Sequence, residues 1–572
     1  MSDMNNKKYI DYLNTLHNYN AQNENAYGEN NIENTYFKKV MVPAELGKSI
    51  CEKLKDNQPC IFILTGHAGD GKTSIMYQVL TEFDAEFNPK EKQSEIVLPN
   101  QKKCLCIKDF SELPEDCKHP DSRLNVLKKS IDMVKEGNFA FMVANTGPLI
   151  NTFGELFDND NNESEKFKIQ LINQMDNNKD NIEEIAGIPI CVINMINVDN
   201  TVFSKKFLEK INQKELWEDC RNCSKKIYCH IHKNHQLILE NKSRVYEFIY
   251  HHFIWLTEYG TRLTIRSMTE QLAYMITGGI SCEEVKEEET YKYLFSNLFF
   301  GYIGTKKNNR AQNIIAIDAA NQCGYDHKRM RTDEKLLVRK EYDHLFNNTV
   351  SKIIKDAEKE NAFVDGWVAF LRRTYFFMNI VTDKTNIKED YEDIFSKQFK
   401  RFLAMRQGEK PTKSDKDLIL DALSMIYIGT TCKHNEIPLT LSRESGIMQN
   451  VQLVTGRISI HKIRIEVSKI KTTSFNANEN NYKLQLMNGN ENLNISLSLP
   501  LLDYFEELKN GVISTNIDPQ LSHGVENLKA KLAEKLKEDD NEYNKIEFVV
   551  LKNNELKNVQ LELTEEGIIT EY

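Results

Sequence analysis

Through the early part of the chain, short apolar runs alternate with stretches of helical periodicity. Ile61–Thr65 is an apolar, β-rich run of the kind that forms a buried strand. Further runs with this character lie at 104–109, 139–145 and 188–194. Between them, residues 121–135 carry apolar side chains at helical spacing. Strands that alternate with helices predict an α/β fold with a parallel sheet and helices on both faces.

Further along the chain the pattern becomes helical and then changes to alternation. Residues 237–256 have apolar side chains at helical intervals, and 260–278 is predicted to form a helix that ends at a glycine cap. From Glu436 onward, apolar and polar residues alternate as in strands with one buried face. Asn488-Gly489-Asn490 is a hairpin turn signal between two such segments. The pattern therefore predicts a separate C-terminal α+β domain.

These changes divide the chain of 572 residues into five predicted segments. They are a polar N-terminal arm (1–35), an α/β core (36–205), a segment rich in cysteine and histidine (206–240), a helical lid and helical region (241–435) and the C-terminal α+β domain (436–572). The last segment carries no catalytic constellation, so we interpret it as a docking module.

The composition indicates in which compartment the protein works and which kinds of partner are disfavoured. The net charge of −10 provides no overall positive field that would attract nucleic acid. No apolar run approaches the ~18 residues of a transmembrane helix, and the N-terminal residues have no signal-peptide core. Without a secretory signal, the 12 cysteines are expected to be reduced thiols or metal ligands. We therefore expect a cytoplasmic protein without a membrane partner.

The loop after the first apolar run matches the phosphate-binding motif G-x-x-x-x-G-K-[ST], also called Walker A. Its residues are Gly66, His67, Ala68, Gly69, Asp70, Gly71, Lys72 and Thr73, with Ser74 next in the following helix. Glycines allow backbone N–H groups and the helix N-terminus to face the phosphates. Lys72 is expected to reach the β- and γ-phosphates, and the Thr73 hydroxyl to hold Mg²⁺. The motif predicts a nucleoside triphosphate site.

Polar residues at the ends of two further predicted strands indicate which class of nucleotide-binding protein this is. Asp109 is placed as the carboxylate on the metal side, and Glu112 is a candidate for the base that orients water. Many ATPases carry these two acids next to each other, and here they are separated, so a strand-end acid before a solvated loop is the alternative. Asn145 fits a sensor of the γ-phosphate, or else a turn residue. Together they predict an ATP-hydrolysing sheet of the AAA+/ASCE type rather than a small kinase or a GTPase.

Two arginines near the start of the predicted 260–278 helix are candidates for contact with the γ-phosphate. In ring-type ATPases a helical lid brings an arginine back to the nucleotide, and Arg262 or Arg266 is suited to this. Either arginine is also a candidate for an arginine finger across a subunit boundary, which would require a homo-oligomer. The alternative for each is a solvated residue on a helix face.

A compact cluster of cysteine and histidine predicts a structural zinc site. Cys220, Cys223, Cys229 and His232 have a spacing that can supply four tetrahedral ligands. His230 or His235 could replace His232, and free thiols beside surface histidines are the alternative. An iron–sulfur cluster usually requires four thiolates.

The motifs, in their order along the chain, resemble DptF, the ATPase component of bacterial restriction systems that depend on DNA phosphorothioation. The resemblance rests on Gly66–Thr73, Ile107–Leu113, Ala144–Leu149 and the three cysteines Cys220, Cys223 and Cys229. It implies an anti-phage role with DptG- and DptH-like partners, and contact with DNA through that complex. Cleavage would lie in a partner, because no nuclease site is evident. The alternative is a nucleotide-dependent scaffold or signalling switch of another defence system, with little turnover.

Overall fold

The computed structural model divides the chain into two compact units, Met1–Thr382 with Thr472–Asn478, and Asp383–Lys471 with Glu479–Tyr572. The residues described are 2–17, 34–56, 58–85, 91–156, 161–177, 182–286, 290–361, 364–380, 390–431, 435–440, 450–469, 482–511, 519–537, 545–552, 555–564 and 567–571. The boundary that the sequence pattern places at 435/436 falls inside the second unit.

The first unit contains a six-stranded sheet. Its strands are β1 (Ile61–Thr65), β2 (Gln93–Val97), β3 (Lys103–Ile107), β4 (Phe139–Val143), β5 (Glu183–Ile185) and β6 (Ile188–Asn194). Their order is β2-β3-β4-β1-β6-β5, in which β3, β4, β1 and β6 are parallel and the two edge strands are antiparallel to their neighbours. The α/β fold and its parallel strands are confirmed, whereas the antiparallel edges were not predicted.

Helices of the first unit surround this sheet and continue beyond it. They are α1 (Ser2–Thr15), α2 (Thr35–Val40), α3 (Glu45–Lys55), α4 (Lys72–Glu82), α5 (Arg123–Lys135), α6 (Thr146–Glu155), α7 (Asn161–Asn177), α8 (Phe203–Ile211), α9 (Glu218–Asn222), α10 (His230–Glu240), α11 (Lys242–Glu258), α12 (Ile265–Thr277), α13 (Phe295–Leu298), α14 (Ile315–Gln322), α15 (Tyr342–Leu345), α16 (Asn348–Asn361) and α17 (Trp367–Met378). A short hairpin, β7 (Tyr302–Ile303) and β8 (Lys306–Lys307), lies among the later helices.

Strand β1 shows how the sheet is covered on both faces. Alternate residues of a strand point to opposite faces, and all five residues of β1 are buried. Ile61 and Ile63 belong to a core with α5, α6 and α7, while Phe62 and Leu64 belong to a core with α3 and α4. The continuous apolar sequence of β1 is thus the consequence of burial on both sides.

The predicted polar arm contains a helix with a buried face. Tyr9, Ile10, Tyr12 and Leu13 of α1 are buried, and the Tyr9 hydroxyl donates a 2.7 Å hydrogen bond to the carbonyl oxygen of Ile211. The remainder of the arm at 18–33 lies outside the described residues.

The ends of α12 follow from local chemistry. Thr264 precedes the helix and its hydroxyl accepts a 3.2 Å hydrogen bond from the backbone N–H of Ser267, as an N-cap does. The helix ends at Gly278, whose φ of 63° is the left-handed conformation that glycine adopts without strain. The predicted glycine cap is therefore confirmed, although the helix begins later than the pattern indicated.

The second unit combines helices with two antiparallel sheets. Its helices are α18 (Phe399–Arg406), α19 (Lys413–Tyr427), α20 (Leu499–Lys509) and α21 (Pro519–Lys537), and its strands are β9 (Glu436–Thr440), β10 (Val451–Ser459), β11 (Ile463–Lys469), β12 (Tyr482–Asn488), β13 (Glu491–Ser496), β14 (Lys545–Lys552), β15 (Glu555–Thr564) and β16 (Gly567–Glu571). The sheets have the orders β16-β15-β14-β10-β9 and β11-β12-β13. Lys509 in α20 forms an ion pair of 3.1 Å with Asp421 in α19. Gln452 of β10 also donates a 3.1 Å hydrogen bond to the carbonyl oxygen of Ile428, which directly follows α19, so a helix that the pattern assigned to the preceding region contacts the C-terminal strands.

Among the described residues, no helix combines the length and the apolar character needed to cross a membrane.

Candidate functional site

The candidate site lies at the carboxyl ends of the parallel strands, where β1 passes into α4 through the loop Gly66–Gly71. Gly66, Gly69 and Gly71 have φ values of 142°, 90° and 83°, which residues other than glycine rarely adopt. A Cβ at Gly66 would lie 2.9 Å from the Cβ of Met195. The glycines therefore allow a conformation and a close approach that the fold requires.

Lys72 opens α4 and turns back onto this loop. Its ammonium group donates hydrogen bonds of 2.8 Å to the carbonyl oxygens of Gly66 and His67, and the side chain is only 7% exposed. Burial lowers the pKa of Lys72, while the Asp70 and Asp109 carboxylates oppose that shift and Arg266 adds to it. The lysine ammonium is thus held by the loop, and the charges of Asp70, Asp109 and Arg266 act on it.

Asp70 is the residue that holds the loop in shape. Its carboxylate is buried and accepts a 3.0 Å hydrogen bond from the backbone N–H of His67. The other carboxylate oxygen accepts a 2.9 Å bond from Arg262, whose second nitrogen donates to the carbonyl oxygen of Met195 at 2.7 Å. Met195 directly follows β6. Asp70 and Arg262 therefore connect the loop to the end of a neighbouring strand.

Arg262 is not the solvated residue on a helix face that was the alternative for it. Its guanidinium is occupied by Asp70 and by the carbonyl of Met195, so it braces the loop rather than standing free on a helix face. Arg266 is the second residue of α12, and its backbone N–H donates a 3.1 Å hydrogen bond to the carbonyl oxygen of Gly69. The start of α12 therefore lies directly against the loop.

A buried carboxylic acid stands one helical turn beyond Arg266. Glu270 is 6% exposed, and burial raises its pKa from 4.5 to about 7, against the opposing effect of Arg266. The sequence pattern did not single out Glu270, because an acid within an amphipathic helix is ordinarily on the solvated side.

Asp109 and Glu112 differ in their relation to the loop. Asp109 follows β3 and accepts a 2.8 Å hydrogen bond from the backbone N–H of Ser111, which caps the 3₁₀ turn Phe110–Glu112. Its charge also acts on Lys72. Glu112 is exposed, and among the described residues no hydrogen bond or ion pair connects its carboxylate with the loop. Of the two acids, Asp109 is therefore the one whose charge acts on Lys72.

Asn145 and Thr146 follow β4 at the same edge. The backbone N–H of Asn145 donates a 2.8 Å bond to the Ser111 hydroxyl, and its side chain is exposed. The hydroxyls of Thr146 and Thr65 lie 2.9 Å apart. Thr65 ends β1, so this contact links two strand ends directly behind the loop. Neither threonine was predicted to have a role, although each stands at or just after the end of an apolar run.

The cysteine segment forms a second cluster, and it includes a residue that the sequence analysis missed. Cys220, Cys223, Cys229 and Cys282 line one cavity of about 40 Å³, together with His232. After burial, the Cys282 thiol contributes most to raising the pKa of Cys220 to about 12. Cys282 lies far along the chain from the other three, so no spacing pattern could reveal it.

The histidines of this segment separate into two groups. The Nε2 atom of His230 lies 3.3 Å from the carbonyl oxygen of Thr277, and the His235 ring stacks on Trp217 with ring centres 4.1 Å apart. Neither lines the cavity. His232 lines the cavity and is 8% exposed. Its Nδ1 atom has no hydrogen-bond partner among the described residues.

Within the described part of the chain, no group of three or more His, Cys, Asp or Glu side chains is already arranged to hold a metal ion. The zinc site with Cys220, Cys223, Cys229 and His232 therefore stays a prediction.

Comparison of the chain with protein-family models, with curated proteins and with solved structures gives no significant match.

Proposed function

We propose that the chain binds ATP with Mg²⁺ at the loop Gly66–Ser74 and hydrolyses it. The observation that carries this proposal is the position of Lys72, which is buried against the loop and lies within the electrostatic reach of Asp109. A lysine amine on a glycine-rich loop at the start of a helix is the arrangement that recognises the phosphates of a nucleotide.

The other proposed contacts with the phosphates and Mg²⁺ come from residues at the ends of the same strands. Loop residues Gly66 to Gly71 would place backbone N–H groups around the phosphates, and Lys72 would bind the β- and γ-phosphates. Thr73 and Asp109 supply the hydroxyl and carboxylate oxygens that suit Mg²⁺. When bound, Mg²⁺ supplies charge neutralisation at the phosphates.

The two arginines receive different roles in this proposal. Arg262 is a positioning residue, because it binds Asp70 and a strand-end carbonyl. Arg266 lies close enough to Lys72 to affect its pKa and is the better candidate for contact with the γ-phosphate. A homo-oligomer with an arginine finger in trans is then no longer required for this chemistry.

The test compares two lysine variants of the full chain. Lys72→Ala is expected to lower ATP turnover by about 100-fold or more, the scale seen when a group that stabilises transition-state charge is removed. Lys128→Ala, an exposed lysine on α5, is the matched control and should leave turnover unchanged. Phosphate release and binding of a fluorescent ATP analogue are measured for each. Equal turnover in the wild type and Lys72→Ala would refute the proposal.

A second function, a nucleotide-dependent switch with little turnover, is favoured by one observation. The Glu112 carboxylate is exposed and, in the described chain, is not connected with the loop, so the separated pair Asp109 and Glu112 lacks an evident base for water. Tight ATP binding that is lost in Lys72→Ala, with wild-type phosphate release no faster than in that variant, would favour the switch.

The cellular role is a further proposal, and it is supported by the resemblance of the motifs to DptF. We place the ATPase in a phosphorothioation-dependent restriction system, where DptG- and DptH-like partners handle DNA. Affinity purification of the full chain from its native host, with and without ATP, tests this placement. Co-purification of partners encoded beside its gene would support it, and recovery of the chain alone under both conditions would count against it.

A further inference from the structure

The loop that follows α12 carries Cys282 into the cavity of the cysteine segment. Asn14 of α1 donates a 3.1 Å hydrogen bond to the carbonyl oxygen of Ile280, and Lys225 donates one of 3.1 Å to the carbonyl oxygen of Cys282 itself. Arg310 binds the carbonyl of Gly279 and forms a 2.8 Å ion pair with Glu284. Contacts on both sides of Cys282 thus place it, independently of any ligand.

The four cysteines and one histidine around this cavity offer more donors than a tetrahedral ion needs. Cys220 and Cys223 are joined by a tight turn, in which the backbone N–H of Cys223 donates to the carbonyl of Cys220 at 3.4 Å. Cys229 precedes α10, and Cys282 completes the set from a distant segment of the chain. Two sulfurs from a C-x₂-C turn and two from separate segments are a common way to build a tetrahedral zinc site.

We propose that Cys220, Cys223, Cys229 and Cys282 bind one Zn²⁺ through four thiolates, with His232 as a neighbour and not as a ligand. The site would fasten the segment after α12 to the cysteine segment, at a cavity that Ile10 of α1 also lines.

Charge and space both suit this set of ligands. Four thiolates around Zn²⁺ leave a net negative charge, which the ammonium groups of Lys225 and Lys226 at the same cavity can offset. The cavity of about 40 Å³ exceeds the ~10–15 Å³ that one water-sized atom requires. The four cysteines do not form a metal group as they stand, so zinc binding requires their side chains to change conformation.

Four thiolates complete the tetrahedral set, so His232 lies outside it as a buried neighbour at the same cavity. The unpaired Nδ1 atom needs a polar partner. A thiolate already bound to zinc can accept a hydrogen bond from a neutral imidazole, which is the way outer residues support zinc ligands.

Zinc content of the full chain tests the proposal. After expression with added Zn²⁺ and desalting, the wild type is expected to retain about one equivalent by elemental mass spectrometry. Cys282→Ser should weaken binding by more than about 100-fold in competition with a chelator, since even outer-shell changes cost about 10–100-fold. His232→Ala should retain the ion at stoichiometric zinc. Cys323→Ser, a partly buried cysteine elsewhere in the unit, is the matched control and should behave as the wild type.

Two further measurements decide the case in which Cys282→Ser does not fold. Cys282→His should restore zinc binding, because three thiolates and one imidazole also form a tetrahedral site. The absorption spectrum of the Co²⁺-substituted wild type should show four thiolate ligands. A wild type that retains no zinc, that holds iron with sulfide, or whose Co²⁺ spectrum shows three thiolates and a nitrogen lost in His232→Ala would overturn the proposal. None of these readouts depends on ATP turnover.

Discussion

The glycine-rich loop and the cysteine cavity lie beyond opposite ends of α12 and were assembled in different ways. At the start of the helix, Arg266 binds the loop through a backbone hydrogen bond to Gly69. Beyond its C-terminal end, the chain continues to Cys282 in the cavity. The loop is continuous in sequence, so its motif is visible without a structure. The cavity joins distant segments, so only a part of its donor set is visible. The helix between them has 13 residues and a length of about 20 Å.

One helix thus lies next to two candidate sites of different origin. If the proposed zinc site fastens the segment beyond the C-terminal end of α12, its effect on the loop should be through stability and not through chemistry. Variants at the two ends of the helix should therefore differ in what they change.

The largest expected effect is the loss of the loop brace in Arg262→Ala. The variant leaves the buried Asp70 carboxylate without its ion-pair partner, which should lower the free energy of unfolding by about 3–5 kcal/mol. Urea denaturation measures this change, and zinc content should be unaffected in the folded fraction. Arg372→Ala removes another ion pair of the first unit, with Asp333 at 2.6 Å, and is the control for general ion-pair loss. Unchanged stability with a collapse of turnover would instead identify Arg262 as a residue that touches the nucleotide.

A smaller effect, on ATP turnover, should distinguish Asp109 from Glu112, the two acids that follow β3. Asp109→Asn is expected to lower Mg²⁺-dependent ATP turnover by about 100-fold, or ~2.7 kcal/mol, because the carboxylate proposed to hold Mg²⁺ is lost. Glu112→Gln should change turnover by less than about threefold, since the carboxylate is exposed and the turn depends on backbone bonds. Phosphate release at saturating ATP compares both variants with the wild type. A loss in Glu112→Gln equal to that in Asp109→Asn would restore Glu112 as the base and contradict the difference between the two.

The smallest effect concerns Glu270, within α12 between the two sites. Burial raises the folded-state pKa of Glu270 to about 7, above the ordinary value of 4.5. The folded state therefore binds more protons than the unfolded state between these values, and stability should fall as pH rises from about 4.5 to about 7. Glu270→Gln should remove this slope and stabilise the protein at pH 8 by on the order of 1–2 kcal/mol.

Thermal unfolding from pH 5 to pH 8 measures the slope for the wild type and the variant. Glu240→Gln, in the last turn of α10, is the matched control, because its pH profile should follow the wild type. An identical pH slope in the wild type and Glu270→Gln would show that the buried acid titrates normally.

Much of the fold could be predicted from local pattern. The ends of β1 and β6 agree with the apolar runs, because strands buried on both faces require continuous apolar sequence. The edge strands β2 and β5 were missed, since Gln93–Val97 is largely polar and Glu183–Ile185 has only three residues. Both pair antiparallel at the margins of the sheet, where one side of the strand has no neighbour and the sequence is weakly constrained.

The candidate site also has features that were predictable from local sequence and features that were not. The loop and Asp109 were found from sequence because a motif and a strand end are local features. The bond between Arg262 and Asp70 joins residues 192 positions apart, and no periodicity records such a contact. The difference between Asp109 and Glu112 also depends on the turn Phe110–Glu112, which the partly buried Asp109 carboxylate caps and on which the Glu112 side chain is exposed.

By itself, the sequence determined the glycine loop, the α/β order of the early strands and the presence of a cysteine segment, because each is encoded by neighbouring residues and their backbone preferences. Only the tertiary structure decided that Arg262 braces the loop, that Glu270 is buried, and that Cys282 joins the other cysteines. These contacts depend on how α12 packs between the sheet and the cysteine segment, and packing of distant segments leaves no periodic trace in the chain.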